Sequence, residues 1–150
     1  DKILHEMGLA LPEASRPVGS YLPFVRAGDL VFISGQLPMR AGQLVAKGKV
    51  GLSVTLQEAT EAARVALLNG LAQAVAAANG VEHIARFVRL GVFVNSAPGF
   101  TDQAKVANGA SDLLTAIFGE AGRHARAAVG VNELPLDAAV EIEMIVQIRV

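Results

Sequence analysis

The stretch HARAAVGVNELPLDAAVEIEMI, His124 to Ile145, decides the fold. It holds two alternating apolar runs, Ala125–Val131 and Ala139 onward, joined by the corner Asn-Glu-Leu-Pro-Leu-Asp. Alternation broken by Pro and Asp predicts two strands and a connection, a hairpin-like close to the chain. Each run carries a charge near its start, Arg126 in the first and Glu141 in the second. A charge inside an apolar segment must be paired, solvated or functional, because an unpaired buried charge is too costly to keep. The residues alone leave three readings open: a structural Arg–Glu pair, a solvent-facing strand edge, or a site.

Outward from this stretch the alternation continues. Val140, Ile142, Met144, Val146, Ile148 and Val150 fall on one face. Glu141, Glu143, Ile145, Gln147 and Arg149 fall on the other. The first face suits a helix layer; the mixed second face suits a subunit interface or a wet cavity. Upstream, Leu30–Ser34 (LVFIS) reads as a central strand ended by Gly35, and Arg86–Asn95 (RFVRLGVFVN) as another. Met39–Gly51, with three glycines, suggests a hairpin arm or surface loop. Thr55 with Glu58 forms a capping box opening a helix that stops at Asn79-Gly80. Its stripe of Ala59, Ala63, Ala66, Leu67, Gly70, Leu71, Ala74, Val75 and Ala78 is small enough to lie close against a sheet. A second helix is expected over about Thr101–Phe118, burying Phe100, Ala104, Ala107, Ala110, Ser111, Leu114, Ile117 and Phe118. Residues 1–16 read as a short amphipathic turn of helix (Ile3, Leu4, Met7) and a Pro-broken connector. The loop from Pro17 to Phe24 holds Tyr21, the only tyrosine. The element order predicts an α+β domain with two helices covering one face of a mixed sheet.

With 150 residues, 52% of them apolar and 18% charged, the chain suits a single domain, 1–150, with a core of its own. The net charge of −1 and the absence of a basic run give no nucleic-acid footprint. Without cysteine there is no disulfide, thiolate nucleophile or Cys-based zinc site. The three histidines are scattered, so no metal site is expected. No apolar run reaches the ~18 residues of a membrane span, and the first residues lack a signal-peptide core, so the cytoplasm is the expected compartment. Ser34 is not read as a nucleophile, since it lacks the flanking Gly-x-Ser-x-Gly pattern.

Several ordered pieces together resemble the RidA/YjgF family, also called L-PSP endoribonuclease-like or reactive intermediate deaminases. They are Gly19-Ser20-Tyr21, Val31–Gln36 (VFISGQ), Val92–Val94, Val106–Asn108, and Ala125–Glu143 with its Ala-Arg-Ala-Ala-Val, Leu-Pro and Val-Glu-Ile-Glu segments. The resemblance spans roughly Pro17 to Val150. It implies a chorismate-mutase-like α+β fold and a homotrimer whose sheets form a central barrel, with clefts between subunits. It implies hydrolysis of 2-imino acids and their enamines to 2-keto acids and ammonia, without a cofactor.

By this resemblance Arg126 falls on the family's carboxylate-binding Arg, a role that suits a planar fork of donors. Glu141 falls on the water-orienting Glu. Tyr21 falls on the Tyr that closes the pocket from the adjacent subunit. Asn108 falls on a pocket Asn, Gly35 on the glycine that shapes the pocket floor, and Ala128 on a backbone contact to the substrate carboxylate. Two departures stand out. Ala127 and Ala128 replace the usual hydroxyl or thiol residues after the Arg, and His124 replaces the usual Pro two before it. His124 reads either as a group at the cleft mouth or as a neutral loop residue. A non-catalytic trimer binding carboxylate metabolites, and an endoribonuclease of the L-PSP type, are the alternative functions.

Overall fold

The computed structural model describes residues 2–15 and 19–150. Pro17, where the loop reading begins, lies outside the described residues, as do the side chains of Lys2 and Ile3.

The chain runs α1 (Lys2–Glu6), β1 (Phe24–Ala27), β2 (Leu30–Gln36), the short arm β3 (Met39–Arg40) and β4 (Gln43–Leu44), α2 (Leu56–Ala78), β5 (Ile84–Asn95), α3 (Gln103–Phe118), β6 (Ala125–Val131) and β7 (Val140–Ile148). Five strands form one mixed sheet in the order β1-β2-β7-β5-β6. Only β5 and β6 pair in parallel, as a crossover through α3 requires. The arm β3–β4 is a separate two-stranded sheet.

The two runs of the opening stretch are strands, but they do not close as a hairpin. β7 inserts between β2 and β5, so β5 separates β6 from β7. Alternation reports which face a side chain takes, and is silent on which strand lies beside it. For the same reason β2 is an interior strand but not the middle of the sheet; that place belongs to β7.

The expected inner face of β7 is buried from Val140 to Ile148, while Val150 lies beyond the strand and is exposed. It packs with Val31, Ile33, Phe87, Leu90, Val92 and Val94 beneath α2 and α3. α2 has the expected capping box: Thr55 Oγ1 accepts from Glu58 N at 3.1 Å and Glu58 Oε1 from Thr55 N at 2.9 Å. Asn79 ends it in the left-handed region, at φ 61°. The small-residue stripe lets α3 approach closely, and a Cβ at Gly109 would strike the Thr60 carbonyl oxygen. α3 is therefore buried on a wider arc than expected. Val106, Gly109 and Leu113 join its inner side and Ala104 is exposed, because α3 meets α2 as well as the sheet. At the N-terminus Leu4 is fully buried, whereas Met7 is exposed. No helix among the described residues is long and apolar enough to cross a membrane.

The sheet's second face is covered by no helix among the described residues. Register places Phe93 beside Glu141, Gly91 beside Glu143, and Arg89 and Phe32 beside Ile145. Arg89 Nη1 pairs with Glu143 Oε2 at 3.3 Å, with Gly91 leaving the room for it.

Candidate active site

The singled-out residues form two groups on opposite faces of the sheet. Arg126 lies opposite Leu90, on the helix side, and Glu141 opposite Phe93, on the uncovered side. They make no ion pair, so the structural Arg–Glu pairing left open by the sequence is not formed.

The Glu141 group is built on a bulge. Pairing of β2 with β7 shifts between Ile33 and Gln36, which throws Ser34 and Gly35 out of regular register. The displaced Gly35 faces the Glu141 carboxyl, and a Cβ there would collide with its Oε2. Ser34 holds the preceding loop in place. Its hydroxyl donates to Leu22 O at 2.7 Å and its N–H to Pro23 O at 3.0 Å. That fixes Tyr21 nearby, its ring lying over Gly19, where a Cβ would come within 2.8 Å of the ring. Ser34 is thus a tether, a role the sequence reading did not find. A polar side chain at a strand end was the available signal.

Glu141, Gly35 and Tyr21 line one cavity of about 760 Å³. Glu141 is half-buried; burial, and secondarily the charge of Glu143, raise its pKa above the ordinary carboxylate value. No cation among the described residues lies within ion-pair distance of it.

Leu136 also borders the cavity. It stands in the corner after β6, where Leu136 and Asp137 both have left-handed backbone, φ 58° and 61°. Such backbone persists in non-glycine residues only where the surroundings hold it. Here Asn95, fully buried, donates to Asp137 Oδ1 at 3.2 Å and Ala138 O at 3.1 Å. It accepts from Lys49 Nζ at 3.1 Å, and Lys49 also reaches the Asn132 carbonyl.

The second group lies across β6 and α3. Arg126 Nη1 donates to Asn108 Oδ1 at 2.8 Å and to Ser111 Oγ at 3.1 Å. No carboxylate among the described residues pairs with it. Ser111 Oγ lies 2.9 Å from His124 Nε2, and His124 Nδ1 lies 2.6 Å from Gly122 O. A carbonyl only accepts, so Nδ1 carries the proton. In the neutral ring Nε2 then accepts from Ser111, and the chain Arg126, Ser111, His124, Gly122 has one direction. His124 is neither free nor at the mouth of the cavity around Glu141. Ser111 was read only as part of a buried helix face; its spacing of three from Asn108 was the missed signal. Ala128 sits two residues beyond Arg126 with its methyl against the core. β6 is an edge strand, so one side of its backbone has no strand neighbour among the described residues.

Among the described residues no group of three or more His, Cys, Asp or Glu side chains converges to hold a metal. The chemistry on offer is the Arg126 guanidinium, oriented by Asn108 and Ser111, and the half-buried Glu141 carboxylate facing a cavity.

Comparison with known proteins places this arrangement. Residues 1–148 match the family described as "YjgF/chorismate_mutase-like, putative endoribonuclease". The crystal structure of Atu1372 from Agrobacterium tumefaciens, a protein of unknown function, is 45% identical, with a TM-score of 0.91 over 99% of this chain and 91% of that one. A 2-iminobutanoate/2-iminopropanoate deaminase from Dermatophagoides farinae is 31% identical over 143 residues, 94% of this chain and 95% of the relative. Escherichia coli TdcF, solved with bound serine, is 28% identical with a TM-score of 0.68, covering 92% of this chain and 94% of that one. With its α+β fold, two long helices on one face of a mixed sheet and a match along almost all of its length, the chain belongs to the YjgF/RutC family, also called RidA.

Proposed function

We propose that the protein hydrolyses 2-imino acids and their enamine tautomers to 2-keto acids and ammonia, in a site completed by a second copy of the chain in a homotrimer. The observation that carries this reading is the separation of the two groups. Glu141 faces a cavity whose one lining cation, Arg40, is exposed and turned to Glu61, and Arg126 presents a cation that no carboxylate among the described residues pairs with, on the other face of the sheet. Neither group alone handles a carboxylate-bearing imine; together, across an interface, they do. The bare second face of the sheet and the unpartnered edge of β6 supply surfaces for that contact. The deaminase relative and the serine-bound TdcF support a small carboxylate as ligand.

In this reading Arg126, held by Asn108 and Ser111, grips the substrate carboxylate, with the backbone at Ala128 beside it. Tyr21 closes the cavity. Glu141 orients a water towards the imine carbon and takes its proton as the C–O bond forms. The imine enters protonated on nitrogen, so this step gives a neutral carbinolamine; Glu141 returns its proton to that nitrogen, and as the C–N bond breaks and ammonia leaves, the hydroxyl passes its proton to Glu141 and becomes the keto oxygen. A raised carboxyl pKa suits this exchange, because a base nearer neutrality also serves as an acid. Nothing in the scheme calls for a cofactor or a metal. RNA cleavage, the other activity attached to the family's description, would call for a cationic track that the net charge of −1 does not suggest.

The test is ammonia release from 2-iminopropionate and 2-iminobutyrate, generated in situ by an amino-acid oxidase or dehydratase. Wild type should accelerate it; Arg126→Ala and Glu141→Gln should each lose the acceleration while remaining folded. Co-expression of the two inactive variants should restore part of it, because mixed assemblies contain intact sites. A folded, oligomeric wild type that accelerates neither imine would shift the reading to a carboxylate-binding protein without turnover. Failure of co-expression to restore activity would place both groups in one subunit's site.

A further inference from the structure

The cavity that Glu141 faces is far larger than hydrolysis of a small imine demands. Its volume of about 760 Å³ lies in the range, roughly 300–1,000 Å³, that holds drug-sized ligands. Glu141, Gly35 and Tyr21 supply part of its lining. The rest extends between α2, the arm β3–β4 and residues 10–15.

The walls of that extension are apolar: Leu11, Leu37, Met39, Val65 and Leu68 line it. Its polar groups are committed to holding the walls together. Asn69 Nδ2 donates to the carbonyls of Leu37 and Met39, each at 3.0 Å, which fixes the arm to α2. Gln73 Nε2 donates to Ser15 O at 2.6 Å, which fixes the N-terminal segment. Gln36 Nε2 donates to Ser34 O at 2.9 Å. Two charged residues border the space, Glu13 and Arg40; both are exposed, and Arg40 faces Glu61 at 3.7 Å. An occupant of the extension therefore meets mostly methyl and methylene groups, with the polar ends of Arg40 and Ser15 exposed at its border.

We infer that this extension is a side-chain compartment that selects 2-imino acids with long or branched apolar side chains over the three- and four-carbon imines. The inference rests on the deaminase reading and names its substrate class. It also gives residues 10–15 a task beyond covering an edge: they form one wall of the compartment. The amino acids whose two-electron oxidation supplies such imines are of the leucine, methionine and norleucine kind.

The size of the effect follows from burial. Each methylene moved from water into an apolar wall is worth about a factor of four in kcat/KM. Three further methylenes therefore give a preference of roughly 60-fold, if all are buried.

The experiment measures kcat/KM for imines generated by an L-amino-acid oxidase from alanine, 2-aminobutyrate, leucine, methionine and norleucine. Wild type is compared with two variants that fill the compartment, Ala10→Trp on the N-terminal wall and Leu68→Trp on α2. Thermal melts verify that each is folded, and the exposed position of Ala10 guards against loss of the α2 variant. The expected result is a rise of tenfold or more from the alanine-derived to the norleucine-derived imine in wild type. In either folded variant the ratio should fall at least tenfold. Hydrolysis of the small imines with a flat or falling series, and a ratio unmoved by either variant, overturns the inference and leaves the deaminase reading standing. Hydrolysis of no imine at all overturns both.

Discussion

Gly35→Ala separates the position of Glu141 from the stability of the fold. Gly35 has no left-handed backbone, so alanine introduces no backbone strain; the added methyl has only its neighbours to contend with. The three nearest of those neighbours are atoms of Glu141. Beyond the colliding Oε2, the carboxyl carbon Cδ would stand 2.9 Å from the new Cβ and Cγ 3.2 Å from it. Carbon atoms settle at about 3.5–4.0 Å, so the carboxyl must retreat by about 0.6–1.1 Å. What moves is the far end of a half-exposed, rotatable side chain. The stability cost therefore sits at the low end of overpacking, about 1 kcal/mol, or a fall of about 2–4 °C in melting temperature. Catalysis has no such tolerance. A group misplaced by about 1 Å can lose about 100-fold in rate, and kcat/KM for imine hydrolysis should fall by that order. The assay pairs ammonia release with a thermal melt of the same preparation. Wild-type activity in folded Gly35→Ala would refute the role of the Glu141 carboxyl at this position. A large drop in melting temperature would show that the bulge has no room to yield.

Glu141 also predicts a pH dependence of stability. Its pKa is raised in the folded chain, so the folded chain holds the proton to higher pH than the unfolded chain does. Its ionisation therefore costs stability above the folded pKa, and the cost vanishes below the ordinary glutamate range near about 4.3. Glu141→Gln should melt higher than wild type at pH 8 and lose that advantage as pH falls towards 4; an advantage independent of pH would refute the cause assigned. Ser111→Ala removes the hydroxyl between Arg126 and His124 and should raise KM several-fold with little change in kcat, and Ser111→Thr should restore it; a fall in kcat alone would count against a role in holding the carboxylate. Asn95→Leu abandons the buried Ala138 carbonyl and releases Asp137 and Lys49 towards solvent, and should cost about 1–3 kcal/mol by denaturant unfolding, the cost of a buried group left unpaired. A loss below 1 kcal/mol would mean that the corner keeps its shape unaided.

Local chemistry was the legible part of this chain. Thr55 and Glu58 announce the start of α2, Asn79 its end, and the alternation from Val140 to Ile148 names the inner face of β7. Each is written within a few residues of itself. What could not be read there depends on distant partners. The alternation of β7 is the same whether it closes a hairpin with β6 or slides between β2 and β5. α3 buries Val106 and Leu113 because it meets α2, and nothing within its own sixteen residues reports that second neighbour. Arg126 and Glu141 stand out in the sequence as charges inside apolar runs, and the resemblance added expected roles for them, but neither reveals that β5 divides them. Ser34, Ser111 and Asn95 act through hydrogen bonds to segments far along the chain, and a lone polar side chain carries no mark of that.

The buried amide of Asn95 has an evolutionary consequence. Lys49, Asn95 and Asp137 come from three remote parts of the sequence, yet each satisfies another, so a change at one strands the others. Their substitutions should be strongly non-additive, and drift should carry them as a set or hardly at all. Leu136 belongs to the same corner but not to that bond. Its side chain points out of the knot to the border of the cavity and remains largely exposed. The mount is locked while the tip is exchangeable, so related chains can reshape this wall by replacing a single side chain without paying for a new loop.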